Sequence, residues 1–346
     1  MSYEVLGPQH VGMREHSPHP AIGLAIQRHQ SALEDPEATT NDGSKLVIAV
    51  EGGGYSGYVS SAALVVMEQV GLIETAVDQI VGTSAGALNA ASTAAKQAAL
   101  GSSNYTDLLD TDFANPLRLL AGRRPLNFDR VMRDIILARK PYDPGHLAAG
   151  PAFGAVSVNI ETRQAELLKD FDDVPDMMLA IRASCAIPIL SGPPIDYKGK
   201  TMSDGGLLEA VPFKAALEDG PPDQTYVLAL RTSGEDYRKD NDSRRQIEVV
   251  RRHRFGSAAL AELVADRARI YNEDAENLQA GDAYPTVMQV ALKSGERPIE
   301  RLEKSLKNLQ YGFELGLTAV AQAFGMPDLS VFWNSQGLPV ILVEHI

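Results

Sequence analysis

The chain has 346 residues, 44% of them apolar, and a formal net charge of −13 at pH 7. An excess of acidic side chains repels nucleic-acid phosphates and anionic lipid, so the composition argues against a nucleic-acid binder and against attraction of the whole protein to an anionic membrane. The single cysteine, Cys185, allows no intramolecular disulfide, which fits a reducing compartment. We see no secretory signal in the first twenty residues and no apolar run of roughly 18 residues. We therefore expect a cytoplasmic protein, with peripheral contact at the membrane left open.

The chain is predicted to divide into an N-terminal arm and linker, residues 1–44, and a single domain, residues 45–346. The arm contains one short amphipathic stretch, AIGLAIQRHQSAL, and then the polar segment DPEATTNDGS. Regular structure is predicted to begin at KLVIAV (45–50), whose nearly all-apolar run is typical of a strand buried on both faces. A glycine cluster and a helical pattern follow, and the segment from DQIV onwards repeats this order. The alternation predicts an α/β fold with a mostly parallel sheet covered by helices on both faces.

The second half of the chain is less regular but still patterned. GAVSVNIETRQAELL is predicted to form a hairpin around Glu161 and Thr162, and a helix is expected around Val131–Leu137. Two amphipathic helices are predicted at roughly 247–279 and 298–325, with apolar positions that indicate core packing. Three further segments are predicted to be strands: TYVLALRT, TVMQVAL and the last segment, PVILVEH.

The pentapeptide Gly82-Thr83-Ser84-Ala85-Gly86 fits the pattern G-x-S-x-G, with the apolar DQIV before it and a small-residue helix after it. In this context a serine lies on a sharp strand-to-helix turn, where flanking glycines let neighbouring backbone approach closely. The helix N-terminus behind the serine favours a negative charge. Ser84 is therefore a candidate nucleophile, although an ordinary glycine-rich turn has the same sequence pattern.

A second glycine-rich turn, EGGGYSG (51–57), follows the first predicted strand. Consecutive glycines leave backbone N–H groups unobstructed, so such a turn can hold an anion or a developing oxyanion. A P-loop is disfavoured because the G-K-[ST] ending is absent. The dinucleotide-binding pattern can be read at Gly52, Gly54 and Gly57. The dinucleotide-binding pattern also requires an acidic residue about twenty positions later. Here that residue would have to be Glu74 or Asp78, and neither ends an obvious second strand.

Asp204 precedes two glycines in a third turn, where its carboxylate could reach a hydroxyl, although Asp-Gly is also a common plain turn. A histidine normally relays the proton in serine hydrolases. Only His253 and His345 follow Asp204, and His253 lies in the solvated-looking RRHR. An aspartate acting alone as base would need a raised proton affinity, which burial can supply.

Four ordered blocks, EGGGYSG, GTSAG, ASCAIPILSGPP and DGGLLEAVPF, resemble the patatin-like phospholipase family. The resemblance covers about residues 45–232. It implies a three-layer α/β sandwich with a central, mostly parallel sheet, related to cytosolic phospholipase A2. It also implies a Ser-Asp dyad of Ser84 and Asp204, with an oxyanion hole from Gly52, Gly53 and Gly54. The sequence departs from the family at Glu51, where Asp is frequent, and at Ser56, where the loop usually carries Arg or Lys.

Together these observations predict a carboxylic ester hydrolase of the phospholipase A or esterase type. The N–H of Ala85, directly after the nucleophile, is a further candidate oxyanion donor. The expected partner is a phospholipid or another acyl-ester lipid, with no cofactor, metal or nucleic acid, and the oligomeric state is left open. Two alternatives remain at this point. One is an acyltransferase that uses the same acyl-serine, and the other is a catalytically weak lipid-binding module, suggested by Ser56.

Overall fold

The computed structural model describes residues 19–35, 42–109, 113–115, 118, 124–296 and 299–326. The predicted strand PVILVEH lies outside these residues. Eight strands form one sheet in the described part of the chain. They are β1 (Lys45–Val50), β2 (Gln79–Thr83), β3 (Ala152–Asn159), β4 (Gln164–Leu168), β5 (Ile195–Tyr197), β6 (Lys200–Asp204), β7 (Thr225–Gly234) and β8 (Val287–Leu292).

The sheet is mixed but mostly parallel at its centre. Its order is β5-β6-β3-β2-β1-β7-β8, and β4 pairs with β3. The neighbours β3-β2, β2-β1, β1-β7 and β7-β8 are parallel. The pairs β3-β4, β3-β6 and β5-β6 are antiparallel. The predicted hairpin is confirmed, because β3 and β4 pair from Asn159↔Gln164 to Ala155↔Leu168.

Thirteen α-helical segments surround the sheet in the described residues. They are α1 (Pro20–Glu34), α2 (Gly57–Gln69), α3 (Leu72–Ala76), α4 (Ala85–Ala94), α5 (Ala98–Ser102), α6 (Asn104–Leu109), α7 (Phe128–Arg130), α8 (Pro144–Ala149), α9 (Val174–Ser184), α10 (Phe213–Glu218), α11 (Arg244–Arg252), α12 (Ala258–Ala280) and α13 (Leu306–Phe324). The helix expected at Val131–Leu137 is present as a π-helical segment that continues α7. None of the described helices is both long enough and apolar enough to cross a bilayer.

Helices cover both faces of the sheet, as the alternation predicted. In β1, Leu46, Ile48 and Val50 belong to a core that includes residues of α2, α4 and α13. The alternate residues Val47 and Ala49 belong to a second core that includes residues of α10 and α12. Because side chains of a strand point alternately to its two faces, these two cores lie on opposite sides of the sheet. The result is the expected three-layer α/β sandwich.

Two predicted helix boundaries are wrong. The helix expected at 247–279 is two helices, α11 and α12, separated at His253–Ser257. Gly256 allows the turn, since a Cβ there would lie 1.6 Å from the Val250 carbonyl oxygen. Ser257 then caps α12 by accepting the Leu260 N–H at 3.1 Å. The helix expected from 298 begins at Leu306, after the cap Ser305.

Helix α1 lies within the predicted N-terminal arm, yet its apolar side is buried in the first core. Ala21, Ile22, Ala25 and Ile26 are at most 2% exposed. Arg28 fixes the helix further, because its guanidinium forms ion pairs with Asp42 at 2.8 Å and Asp78 at 2.7 Å. The division of the chain at residue 44 stays a prediction.

The topology brings two strand ends together. Val156 of β3 pairs with Thr83 of β2, and the next residue, Ser157, pairs with Asp204 of β6. Strand β4 pairs with both of these β3 residues as well, so it occupies the other edge of β3. Strands β2 and β6 therefore meet end to end along one edge of β3. This places the turn after β2 beside the turn after β6.

Candidate active site

Ser84 occupies the turn between β2 and α4. Its backbone has φ 54° and ψ −122°, a conformation that costs a non-glycine residue energy and is typical of functional turns. A Cβ on Gly82 would lie 2.2 Å from the Gly86 carbonyl oxygen, and one on Gly86 would lie 2.3 Å from that of Val50. Both flanking glycines are therefore required by close backbone contacts, as the motif predicts.

Ser184, at the end of α9, holds this turn in place. The Ser84 N–H donates to Ser184 Oγ at 2.9 Å, and that hydroxyl donates to the Val156 carbonyl at 2.6 Å. The strained backbone of Ser84 is thus fixed to the central strand β3 through one buried side chain. Cys185 follows Ser184 and is buried next to the same turn, and burial raises the pKa of its thiol.

Asp204 ends β6 at the same place. Its Oδ1 accepts the Gly206 N–H at 2.8 Å, whereas its buried Oδ2 has no hydrogen-bond partner among the described residues. Burial raises the pKa of the carboxyl above its ordinary value. This rise in pKa is opposed by the Gly206 N–H, by the Ser84 hydroxyl and by the cations Arg301 and Lys239. Ser84 and Asp204 are therefore brought together, and the carboxyl has the raised proton affinity expected of a lone base.

The glycine-rich loop lies between β1 and α2. The N–H groups of Gly53 and Gly54 make no hydrogen bond to any residue that the structure describes, and the same is true of Ala85. The prediction for Gly52 needs correction, because its N–H donates to the Ala210 carbonyl at 3.0 Å and is not free for an oxyanion. The candidate donors are therefore Gly53, Gly54 and Ala85.

Two features fix the conformation of this loop. Gly54 has φ +61°, and a Cβ there would lie 2.6 Å from the Arg301 carbonyl oxygen. The same carbonyl oxygen accepts the Tyr55 N–H at 3.1 Å. Ser56 donates its hydroxyl to the Gly53 carbonyl at 2.8 Å. The residue that replaces the usual cation thus orders the loop through a neutral hydrogen bond.

Glu51 anchors the start of the loop in a buried network. Its carboxylate forms an ion pair with Arg231 at 3.2 Å and accepts the Thr232 N–H at 2.7 Å and the Tyr271 hydroxyl at 2.8 Å. Although burial opposes it, these groups, Arg231 foremost, hold the pKa of Glu51 below its ordinary value. A buried charge that is fully paired is stable in place and fixes the backbone that carries it.

The comparison with family models decides the identity of the fold. Residues 48–217 match the model described as patatin-like phospholipase. These residues belong to the patatin-like phospholipase family. The match includes all three turns described above, and members of this family are typically carboxylic ester hydrolases.

Two solved structures are similar to this patatin-like chain. VipD from Legionella pneumophila matches with a TM-score of 0.43 and 13% identity, over 82% of this chain and 67% of that one. Human GIVD cytosolic phospholipase A2 matches with a TM-score of 0.25 and 15% identity, over 43% of this chain and 25% of that one. A comparison with curated proteins finds no match.

Two cavities lie beside the predicted dyad of Ser84 and Asp204. We call the first the dyad cavity, an open space of about 1010 Å³. Its polar lining consists of Gly52, Gly53, Gly54, Ser84, Asp204, Gly206, Lys239, Arg267 and Arg301. We call the second the apolar cavity, a narrow space that begins beside Ala85. Leu88, Tyr105, Leu108 and Val131 line it, and both cavities share Gly54, Phe113 and Phe128.

Sequence reasoning missed the three cations of the dyad cavity. Lys239 lies in the polar loop between β7 and α11, Arg267 on α12, and Arg301 just before α13. Nothing in their local patterns distinguishes them from solvated surface charges. No histidine among the four described, His19, His29, His146 and His253, lines either cavity, and the other three, including His345, lie outside the described residues.

Proposed function

We propose that this protein is a serine lipid acyl hydrolase in which Ser84 is the nucleophile and Asp204 the general base. The observation that carries the proposal is the shared setting of these two residues. Ser84 lies on a strained turn in the same cavity as the unpartnered, buried Oδ2 of Asp204. An acceptor without a partner costs free energy in the folded state, so its retention beside a hydroxyl supports a catalytic role.

The proposed reaction has two halves. Ser84 Oγ attacks the ester carbonyl while Asp204 accepts the hydroxyl proton, and the N–H groups of Gly53, Gly54 and Ala85 stabilise the oxyanion. The C–O bond to the alcohol breaks, and Asp204 returns the proton to the leaving oxygen. Asp204 then deprotonates a water that attacks the acyl-serine, which releases the carboxylic acid and regenerates Ser84.

The apolar cavity favours a substrate that carries a lipid acyl group. It opens beside Ala85 and the glycine loop, where the carbonyl would lie, and most of its lining side chains are aromatic or aliphatic. Burying an acyl chain there would gain about 0.8 kcal/mol for each CH₂ group. An ester of a fatty acid fits this arrangement better than an ester of a polar acid, which favours activity of the phospholipase A or esterase type.

Ester turnover in matched variants tests the proposal. We expect Ser84→Ala and Asp204→Asn each to lose most hydrolysis of p-nitrophenyl butyrate, and Ser84→Ala to lose labelling by a fluorophosphonate probe. Ser294→Ala is the control, because Ser294 is exposed and lines neither cavity. Normal turnover and labelling in Ser84→Ala would contradict the proposal. A wild-type protein that does not react at all would favour the lipid-binding module. Ester product in the presence of glycerol would identify acyl transfer.

A further inference from the structure

Helix α11 presents a basic face on the surface of an acidic chain. We propose that this face binds an anionic lipid surface and holds the mouth of the dyad cavity against it. The occupant of the docking site is thus a bilayer that contains anionic lipid. The inference rests on the proposed function only for its effect on turnover, because binding to a lipid surface needs no chemistry.

The charges of α11 are strongly one-sided. The helix contains one acidic residue, Glu248, and four exposed arginines, Arg244, Arg245, Arg251 and Arg252. Glu248 pairs with Arg251 at 3.5 Å and also with Arg252. Arg244 and Arg245 form no ion pair within the part of the chain that the structure describes. The helix therefore keeps an excess of positive charge at the surface.

Acidic side chains of the adjacent helix α12 do not cancel this excess. Glu262 pairs with Arg163 at 2.5 Å, and Asp266 pairs with Arg269 at 3.3 Å. Asp240, exposed in the loop before α11, adds one opposing charge and leaves the arginines in excess. The basic face is therefore a local feature that an external anion can neutralise.

Local charge, rather than the charge of the whole chain, decides attraction to a membrane. Exposed charges separated by more than about 8–10 Å are largely screened at physiological ionic strength. Arginines that lie within this distance of an anionic leaflet each strengthen binding to it. A chain with a net charge of −13 can therefore dock on anionic lipid through one basic helix.

One stripe of α11 combines charge with an exposed apolar side chain. Arg245, Val249 and Arg252 are spaced four and three residues apart, so they lie on the same side of the helix. Val249 is 52% exposed, whereas Val250 beside it is buried. At a lipid interface the cations meet phosphate groups while the apolar side chain leaves water. A soluble polyanion would make no use of Val249, so the stripe favours a lipid surface.

Helix α11 is fixed beside the dyad cavity. Asp242, two residues before the helix, bonds through both oxygens to Arg267 at 2.5 and 2.7 Å, and Arg267 lines the cavity. On the buried side of the helix, Val250 belongs to the same core as Ile189 and Leu207. Leu207 also lines the cavity, so the helix packs against one of the cavity walls.

Exposed leucines lie at the rim of this cavity. Leu190, which follows Ile189, lines the cavity and is exposed, and the same is true of Leu302 before α13. Such side chains gain free energy when a lipid interface covers them, because apolar surface leaves water. A bilayer held by α11 would cover this rim and let an acyl ester enter the cavity from the lipid.

Co-sedimentation of the full chain with vesicles tests the docking site without relying on turnover. The vesicles contain phosphatidylcholine alone or an equal mixture of phosphatidylcholine and phosphatidylglycerol. We expect the wild type to bind only the mixed vesicles and to be released by high salt. We expect Arg245→Gln/Arg252→Gln to bind them about tenfold or more weakly, because each arginine near an anionic surface contributes about fivefold. Glutamine conserves the helix propensity, so α11 stays folded.

Lys198→Gln/Lys200→Gln is the matched control. It also removes two exposed positive charges, but at the end of β6 opposite to Asp204, and we expect it to bind like the wild type. Absence of wild-type binding, equal binding by all three proteins, or an equal loss in the control would overturn the docking site. Wild-type binding to heparin without binding to the mixed vesicles would assign the face to a soluble polyanion and overturn it as well.

Hydrolysis of two kinds of substrate connects docking with the proposed function. We expect Arg245→Gln/Arg252→Gln to lose hydrolysis of the mixed vesicles about as far as it loses binding. Its turnover of p-nitrophenyl butyrate should equal that of the wild type, and losses on both substrates would indicate a structural role and overturn the proposal. Ser84→Ala should bind the vesicles normally. If Ser84→Ala hydrolysed the soluble ester normally, the proposed function would fail while the docking result stood.

Discussion

At the scale of single residues, the proposed mechanism requires Ser84 and Asp204 to act as one unit, because Asp204 would accept the proton that Ser84 loses when it attacks the ester. We expect Ser84→Ala and Asp204→Asn each to lower kcat about 10²–10⁴-fold, the usual range for loss of a general base.

The double variant separates a dyad from two independent residues. Removal of either residue disables the same step. We therefore expect the kcat of the double variant to be within about tenfold of the kcat of the slower single variant. The measurement is kcat for p-nitrophenyl butyrate in all four proteins, with Ser294→Ala as the control. Multiplicative losses in the double variant would mean that the two residues act separately.

At the scale of elements, helices α4, α6 and α7 form the walls of the apolar cavity. Leu88 of α4 lines this cavity and is only partly buried. Replacing it by Trp fills part of the cavity. We expect Leu88→Trp to reduce kcat/KM for p-nitrophenyl octanoate much more than for p-nitrophenyl acetate. Leu88→Met conserves the volume and should leave the ratio unchanged. An unchanged ratio in Leu88→Trp would place the acyl chain elsewhere.

Local patterns predicted the elements that position the dyad. The apolar run KLVIAV, the hairpin and the strand-to-helix turn at Ser84 each follow from the period of the side chains or from glycine positions, and each is present. The break between α11 and α12 differs from the predicted single helix, because amphipathic segments lie on both sides of the short polar stretch that separates them. Its only local signals are Gly256 and the cap Ser257.

Contacts between distant elements could not be predicted in the same way. That β2 and β6 meet end to end depends on which edge of β3 the hairpin strand β4 occupies, which no local pattern specifies. The Gly52 N–H is taken by Ala210, far along the chain. Lys239 and Arg301 lie in polar segments whose composition predicts only exposure, so their place in the lining of the dyad cavity follows from the fold alone.

At the scale of the whole molecule, helix α1 contributes to the same core as the central sheet. Ile22 is fully buried, whereas Leu33 of the same helix is 45% exposed. We expect Ile22→Ala to lower the free energy of unfolding by about 2–5 kcal/mol, the cost of a cavity in a packed core. Urea denaturation measures this change, and Leu33→Ala should cost less than about 1 kcal/mol. A loss in Ile22→Ala as small as that in Leu33→Ala would mean that α1 is a detachable arm.

The proposed mechanism also requires no histidine relay. Asp204 and Ser84 share a cavity that none of the described histidines lines. We therefore expect the triple replacement of His146, His253 and His345 to leave turnover within about tenfold of the wild type. A loss near that of Ser84→Ala would mean that a histidine carries the proton.

Trapping the covalent intermediate tests the role of Ser84 most directly. The protein is mixed with p-nitrophenyl butyrate, quenched in acid before the acyl group is hydrolysed, digested and mapped by mass spectrometry. We predict that the peptide containing Ser84 gains the mass of one butyryl group, with fragment ions that place it on Ser84, and that Ser84→Ala gains none. A butyryl group on any other residue, with turnover intact in Ser84→Ala, would contradict this assignment.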